Sequence, residues 1–372
     1  MKSITADARR RKRSDKRKNA MGLTRRGFFE AAAALGFASS ISEAHAKEEL
    51  TVVEFGGVHP DASKKVAAKW DKTDIAWTLH VGGGAAILGK IKATWPNSPY
   101  DLIDEWSPVF PAMINEGWAE SVTAADVPNL ADIPERFLTK DDKGNIKNIP
   151  RSVDGSYFAV RTDRCPIEIK TIEDLLNPKL KGQICWPGPT VFMNMATITL
   201  ALARGGNEFK LDPGWKFLEE LAKSGNIGRI YQSGIENENS ITTGETSITY
   251  ASNGQLSTLA KRVPLNALTK SDSSLKAAVY VEGWVIMANS SKKKAAMEFA
   301  NFMVSKESSE LFHQSVNSVP ANRFVRPGPN AAAIQFAPQE FDSFAYLPDW
   351  GYMSSQLDRW VKKFEQDITP KI

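Results

Sequence analysis

The feature that most constrains the fold is an alternation of strand and helix patterns, repeated three times in the first third of the chain. The strand patterns are Leu50–Phe55, Trp77–Val81 and Asp101–Asp104. The helical patterns that follow them are 63–70, 85–93 and 111–117, each with apolar residues three or four apart. Strand followed by helix, three times over, predicts an α/β fold with a parallel sheet.

A second unit follows an irregular stretch over 122–150 that is rich in Asp, Pro and Lys. It opens on a strand pattern at 156–160 and continues with further short strands and helices, among them a strand at 227–231 and a helix near 193–203. A strand pattern at 279–289 and two amphipathic helical patterns close the chain. A length of 372 residues suits two domains of ordinary size.

The first 46 residues differ in composition from the rest of the chain. They hold 11 Lys and Arg against 4 Asp and Glu, whereas the remainder holds 36 against 39. The basic character is therefore confined to this leader, and the composition argues against a nucleic-acid-binding body.

The leader itself has the order of a bacterial twin-arginine export signal. Arg25-Arg26 follows a basic stretch, and an alanine-rich apolar run over Ala31–Ile41 ends at Ala44-His45-Ala46. We expect cleavage after Ala46 and a mature periplasmic protein. The alternative is a basic tail followed by a short membrane-surface helix, although the run is far shorter than the ~20 residues that span a bilayer. Translation could start at Met1 or at Met21.

Two cysteines, Cys165 and Cys185, remain in the exported chain. An oxidising compartment allows a disulfide between them, and two separate buried thiols are an equal alternative, since spacing alone does not give the distance between the sulfur atoms. The scattered histidines and the absence of a Cys-x-x-Cys motif argue against a metal site built on them.

The glycines at 82–84 stand between a predicted strand and a predicted helix. Bare backbone there would let a carboxylate or phosphate approach a helix N-terminus, while the alternative is a tight turn that touches no ligand. The segment resembles a phosphate-binding loop but has Ile91 where Ser or Thr must hold magnesium. We therefore expect no nucleotide and no other cofactor. No hydrolase motif with plausible partners is present.

Residues that follow the predicted strands are the best ligand candidates, because open α/β sheets bind ligands beyond the carboxyl ends of their strands. Aromatic, acidic and amide side chains recur at these positions. For each aromatic residue taken alone, packing in the core is the simpler interpretation. The predicted ligand-binding residues are Gly57, Gly83, Gly84, Glu105, Trp106, Arg151, Trp186, Tyr231, Tyr250, Asn253, Glu282 and Trp284.

Several segments resemble the extracellular solute-binding proteins of bacterial ABC importers, in the group that includes spermidine/putrescine, ferric-iron and phosphonate binders. The most specific is Ile172–Gly182, similar to the helix, lysine-glycine turn and strand of that family. The other segments that carry the resemblance are Tyr100–Asp104, Ile114–Glu120, Val281–Trp284, Lys294–Met303 and Ser318–Asn322. The candidate ligand loops match no single subfamily.

This resemblance implies a two-lobe periplasmic binding protein fold of type II, each lobe a mixed and mostly parallel sheet flanked by helices. The first lobe would comprise 47–155 and, with the C-terminal helices, 272–372, and the second lobe 156–271. The implied function is capture of a small solute by hinge closure and its delivery to a membrane permease and ATPase. We expect a monomer with no catalytic residues and no metal.

The candidate residues favour an amine-bearing solute, either a polyamine or an amino-acid-like zwitterion. Aromatic rings can hold a cation, and Asp104, Glu105 and Glu282 can neutralise it, while Arg151 suits a carboxylate end. Glu282 is the expected partner of the amine, and the alternative is a structural role near the hinge. Ferric iron is disfavoured because Tyr231 and Tyr250 are not adjacent. A phosphonate binder and an exported α/β enzyme with an unrecognised active site remain alternatives.

Overall fold

The computed structural model describes residues 47–80, 83–270 and 275–372. The leader, with the predicted twin-arginine signal, lies outside the described residues. The strands are β1 Glu49–Glu54, β2 Asp74–Leu79, β3 Leu102–Trp106, β4 Ile149–Arg161, β5 Ile184–Pro187, β6 Ile227–Tyr231, β7 Ile248–Ser252, β8 Leu265–Ala267, β9 Ala277–Ile286, β10 Val319–Pro320 and β11 Ala345–Tyr346.

The helices alternate with these strands along most of the chain. They are α1 His59–Ala67, α2 Gly83–Thr94, α3 Phe110–Asn115, α4 Met195–Ala203, α5 Asp212–Lys223, α6 Gly234–Thr243, α7 Asn253–Leu259, α8 Lys293–Met303, α9 Lys306–His313, α10 Pro338–Phe344 and α11 Trp350–Lys363. No helix among the described residues is long and apolar enough to cross a membrane.

Two groups of parallel strands are joined by one long antiparallel pair. Eight of the described strands follow the order β2-β1-β3-β9-β4-β7-β5-β6, while β8 and β10 pair with β4 and β11 pairs with β9. The pairs β1–β2 and β1–β3 are parallel on one side, and β5–β6 and β5–β7 are parallel on the other. The long strands β4 and β9 pair antiparallel between them. The predicted mixed α/β architecture is thereby confirmed.

Each group of strands has its own hydrophobic core. One core packs β5, β6 and β7 residues against α4 and α5, and it includes Trp186, Trp215 and, from the C-terminal helix, Trp360. The other packs β1, β3 and β9 residues against α1, α8 and α9. The amphipathic patterns expected near the end of the chain are α8 and α11, whose apolar faces pack against these cores. The predicted boundaries of the two lobes stay a prediction.

Several elements differ from the sequence prediction in extent. The strand expected at 156–160 is part of a 13-residue strand, β4, all of which is buried. The helix that the resemblance implies at the start of Ile172–Gly182 is a short 3₁₀ helix, Ile172–Leu176. Asp174 accepts hydrogen bonds from the amides of Lys170 and Thr171 there. Both cysteine thiols are free.

The close pairing of β4 and β9 depends on Gly283. A Cβ atom at this position would lie 2.4 Å from the carbonyl oxygen of Ile149 and 2.8 Å from Cα of Pro150, so backbone would have to move. We expect Gly283→Ala to lower the free energy of unfolding by about 1–3 kcal/mol, the usual cost of overpacking. Urea denaturation measures it. The matched control is Gly254→Ala, on open helical surface, which should not destabilise the chain; equal effects of the two changes would contradict the prediction.

Candidate functional site

The centre of the β3–β9–β4 region holds a buried charged cluster. Arg151 lies where the register between β4 and β9 shifts, between Pro150 and Ser152. Such a bulge redirects a side chain out of the regular alternation. The Arg151 side chain is fully buried and reaches Glu54, 97 residues away at the end of β1. It is therefore an internal ion-pairing group.

Arg151 binds two carboxyl groups and a hydroxyl. Its Nη1 and Nη2 donate to the two oxygens of Glu54 at 2.9 and 3.1 Å, and Nη1 also donates to Oγ of Ser63 at 3.1 Å. Nη2 donates to Asp104 as well. The guanidinium carbon lies 4.8 Å from the Trp284 ring centroid and 4.1 Å from that of Phe312. These contacts neutralise the guanidinium charge within the protein, while Nε of Arg151 has no hydrogen-bond partner.

The two carboxyl groups on Arg151 differ in their protonation. Burial would raise the pKa of Glu54, but the charge and hydrogen bonds of Arg151 outweigh it and lower that pKa to about 2. Burial raises the pKa of Asp104 well above its usual value, and the charge of nearby Glu54 adds to the rise against the attraction of Arg151. Glu54 is thus the ionised partner, and Asp104 is the group that holds a proton more readily.

Glu282 lies beside this cluster with a histidine as its direct partner. It faces Trp106 on β3 and Ser152 on β4 in the sheet. His59 Nε2, from the first turn of α1, is 3.5 Å from the Glu282 carboxylate. Burial would raise the pKa of Glu282, yet His59 and Arg151 together lower it. Glu282 is therefore a carboxylate with most of its surface out of water.

Aromatic and further acidic groups continue the same face of the sheet. The hydroxyl of Tyr280 donates to Asp154 at 3.2 Å, and burial raises the pKa of Asp154 well above its usual value. Half-buried Trp106 meets the Tyr280 ring edge to face, with centroids 5.1 Å apart. Because Tyr280 and Trp106 stand next to Glu282, this face combines rings with carboxyl groups.

A second acid–histidine pair lies near the carboxyl ends of β2 and β3. His80 Nε2 contacts Glu105, and both side chains are buried. Burial raises the pKa of Glu105, and the contact with His80 opposes that rise. Gly84 comes close to the same carboxyl group, since a Cβ atom there would be 3.8 Å from Glu105 Oε2 and 2.3 Å from Val109 Cγ2. The structure thus brings together Gly84 and Glu105 as predicted site residues.

Four other predicted residues lie in the interior of the opposite strand group. Trp186 packs near Phe158, and the Tyr231 hydroxyl donates to the carbonyl oxygen of Tyr250 at 2.5 Å. Asn253 accepts from the Tyr157 hydroxyl at 2.9 Å. All four are buried. Contact with a solute would require their present neighbours to move, and their ligand role stays a prediction.

The remaining predicted residues lie at turns and strand interiors. Gly57, with a φ of +71°, forms the exposed turn between β1 and α1, and Gly83 is the first residue of α2. Glu282 and Trp284 stand within β9, not at a strand end, because the apolar run continues to Ile286. A cavity of about 750 Å³ lies next to the site, bordered by Ser107, Val281 and Trp350 among others, and none of the predicted ligand residues lines it.

Sequence reasoning missed four polar residues of this region as site members. They are Glu54, His59, His80 and Asp154. Glu54 ends an otherwise apolar strand, and His59 and His80 follow strand ends, so their positions alone were an available signal. Asp154 lies in an all-buried strand, where an acid is costly without a partner.

The chain matches a known family over most of its length. The sequence profile described as bacterial extracellular solute-binding protein matches residues 31–338. The chain belongs to this family. No match is found among curated protein sequences. Membership confirms the resemblance noted from the sequence, and it implies that this solute-binding protein works outside the cytoplasm.

Solved structures share the fold of this solute-binding protein. An ABC transporter protein from Clostridium perfringens has 22% identity and a TM-score of 0.72, over 86% of this chain and 100% of that one. A spermidine/putrescine ABC transporter substrate-binding protein from Streptococcus pneumoniae has 15% identity and a TM-score of 0.68, over 86% and 100%. Iron-bound HitA from Pseudomonas aeruginosa has 16% identity and a TM-score of 0.65, over 85% and 99%. The fold is that of two-lobe periplasmic binding proteins.

Proposed function

We propose that this chain is the solute-binding component of an ABC importer and captures a small amine-bearing solute, a polyamine or an amino-acid-like zwitterion. The observation that carries the proposal is the excess of acids at the site. Four carboxyl groups lie on one face of the sheet, and the one arginine among them is already engaged by two of them. The four are Glu54, Asp104, Asp154 and Glu282. Burial raises the pKa of Asp104 and of Asp154, and Glu54 is paired with Arg151, so the Glu282 carboxylate is the negative charge that a cationic ligand would meet.

The aromatic groups support the same ligand class. Trp106 is half-buried beside Glu282 and Tyr280, so its ring can contact a solute whose ammonium group is bound by the carboxylate. Cation–π contacts of this kind contribute about 0.5–2 kcal/mol. The fold shared with a spermidine/putrescine transporter protein is consistent with this proposal.

The other solutes considered have less support. Among the described residues, no group of three or more His, Cys, Asp or Glu could hold a metal ion, and Tyr231 and Tyr250 are both buried. A phosphonate would need a free cation, but Arg151 is occupied by Glu54 and Asp104. An anionic end of a zwitterion could instead use the N-terminus of α2 at Gly83.

Hinge closure would involve the β4–β9 pair, which joins the two strand groups. We propose lobes at 47–155 with 272–372, and at 156–271, rotating about these two strands on solute binding. The chain would be exported through the twin-arginine signal, cleaved after Ala46, and would deliver its solute as a monomer to a permease and its ATPase.

The solute can be identified directly. Mass spectrometry of small molecules that copurify with the mature chain should detect an amine, and calorimetry with that amine should show stoichiometric heat and no turnover. Small-angle scattering should show a smaller radius of gyration at saturation. A copurified solute without an amino group would contradict the amine proposal. Turnover of the compound would favour the exported enzyme instead. An unchanged radius of gyration at saturation would contradict closure about a hinge.

A further inference from the structure

His59 is held between two groups that can only accept hydrogen bonds. Its Nδ1 is 3.4 Å from the carbonyl oxygen of Gly56, and its Nε2 is 3.5 Å from the carboxylate of Glu282. A neutral imidazole carries one N–H and leaves the other nitrogen facing an acceptor. Only the imidazolium form, with both nitrogens protonated, suits both neighbours. The geometry therefore favours a positive charge on His59.

The other charged groups around His59 do not replace it as the partner of Glu282. Arg151 on β4 is engaged by Glu54 on β1 and by Asp104 on β3. His313 on α9 is buried and neutral, because burial lowers its pKa to about 3. Its two ring nitrogens contact the Ser309 carbonyl oxygen and the Ser152 hydroxyl. His59 is thus the cation in contact with Glu282.

His59 is nevertheless displaceable. Its side chain is 22% exposed, against 12% for Glu282, so the ring reaches solvent while the carboxylate lies behind it. The rings nearest to His59 are Phe55 and Phe312, with centroids 6.0 and 5.9 Å away, and they add no second ion pair. The contact with Glu282 at 3.5 Å is longer than a good hydrogen bond. An ammonium group that reaches Glu282 could make a shorter one.

We infer that protonated His59 occupies the place that the cationic group of the solute takes at Glu282, so that solute binding releases the His59 proton to the solvent. This inference rests on the proposed function, since it requires an amine. His59 then determines specificity, because only a cation that binds Glu282 better than the imidazolium can enter. The net charge at Glu282 is the same before and after the exchange.

The exchange makes binding depend on pH in one direction. Burial lowers the pKa of His59, but the contact with Glu282 outweighs this and raises it above its ordinary value. Below that pKa, the solute binds only the small unprotonated fraction, so its affinity falls about tenfold for each pH unit. Above that pKa, the affinity is constant until the amine itself loses its proton. Binding should therefore strengthen as the pH rises through the pKa of His59.

The ion pair can be tested without a solute. A pH titration of the histidine ring resonances by NMR, with His59 assigned from the spectrum of His59→Gln, should give a pKa above the ordinary value. In Glu282→Gln that pKa should fall by about one unit or more, the usual effect of losing a neighbouring opposite charge. An ordinary pKa that does not change in Glu282→Gln would overturn the inference whatever the protein binds.

The displacement needs a cationic probe, for which we choose putrescine, a diamine, and L-lysine, a zwitterion. Calorimetry at about pH 5.5 and about pH 8, the range where histidine changes charge, should show affinity at least tenfold higher at the upper pH. Repeating the titration at about pH 5.5 in buffers of different ionisation enthalpy should show close to one proton released, because His59 is protonated there before the solute binds. In His59→Gln the pH dependence and the released proton should both disappear.

The outcomes separate this inference from the function on which it depends. Binding of either probe with equal affinity at both pH values would overturn the displacement and leave the amine function standing. Failure of both probes to bind the parent and His59→Gln would contradict the amine function and the displacement with it. If binding kept its pH dependence in His59→Gln, the proton released on binding would come from another group. That result would also overturn the inference.

Discussion

Replacing Arg151 with alanine is expected to lower the free energy of unfolding by about 3–5 kcal/mol, the cost of leaving a buried charge without its partner. Glu54 has a pKa of about 2 because Arg151 faces it, and both side chains are fully buried. Without the guanidinium, Glu54 must either remain charged in the interior or take up a proton. Urea denaturation of parent and variant at neutral pH measures the loss.

The matched control is Arg229→Ala. Arg229 binds Glu245 with two hydrogen bonds of 3.0 Å, but both side chains are well exposed to water. Exposed pairs contribute about 0–1 kcal/mol, so the control should change stability little. Adding Glu54→Gln to Arg151→Ala should recover part of the loss, because the stranded charge is then absent. Equal effects of the two arginine variants would show that the buried cluster contributes no more than a surface ion pair.

The pH dependence of this contribution follows from the direction of the pKa shift. The folded-state pKa of Glu54 lies below its usual value, so its ion pair stabilises the fold fully at neutral pH. The contribution is lost as the pH falls through the range between the usual value and about 2. The stability difference between parent and Arg151→Ala should therefore narrow in acid.

Short strands and amphipathic helices are the parts of the fold that the sequence pattern predicts most accurately. The strand expected at Leu50–Phe55 is Glu49–Glu54, and the one expected at 227–231 is β6 itself. Both are short runs with a clear end. The amphipathic patterns of α8 and α11 were likewise predicted, since they depend only on the spacing of apolar residues within one helix.

The long strand β4 could not be predicted in full, for a physical reason. Its first half carries Pro150, Arg151 and Asp154, which are poor strand residues in a pattern. In the structure Arg151 stands at a bulge and is neutralised by Glu54, far away in the chain. A polar residue becomes acceptable in a core only through such a partner, and local sequence does not reveal it.

The candidate site shows the same limit. Glu105, Trp106 and Glu282 were predicted from their order after strands, and they do lie on adjacent strands. The partnership of His59 with Glu282 joins α1 to β9, two elements that no local pattern relates. Trp186 and Tyr231 lie in the interior, as the simpler interpretation of an aromatic residue expects. The sequence pattern does not distinguish core packing from contact with a solute, because that depends on the tertiary packing.

Glu282→Gln is expected to weaken putrescine binding by roughly 30-fold or more, because a buried charge partner is worth about 2–5 kcal/mol to its ligand. The variant keeps the shape of the side chain and removes only the charge that would meet the ammonium group. Calorimetry at about pH 8, above the ordinary pKa of histidine, measures this loss with little contribution from the His59 proton. Thermal unfolding of the same samples shows whether the fold has also changed.

The surface variant Glu245→Gln serves as the control, since that carboxylate is 45% exposed and pairs with Arg229 outside the site. It should bind putrescine with the affinity of the parent. Intact affinity in Glu282→Gln together with a lower melting temperature would assign Glu282 to structure and not to the solute. That result would follow if the pair with His59 served only to attach α1 to β9. A weakened affinity at an unchanged melting temperature would instead support the carboxylate as the ligand group, because loss of a buried stabilising contact would also lower the melting temperature.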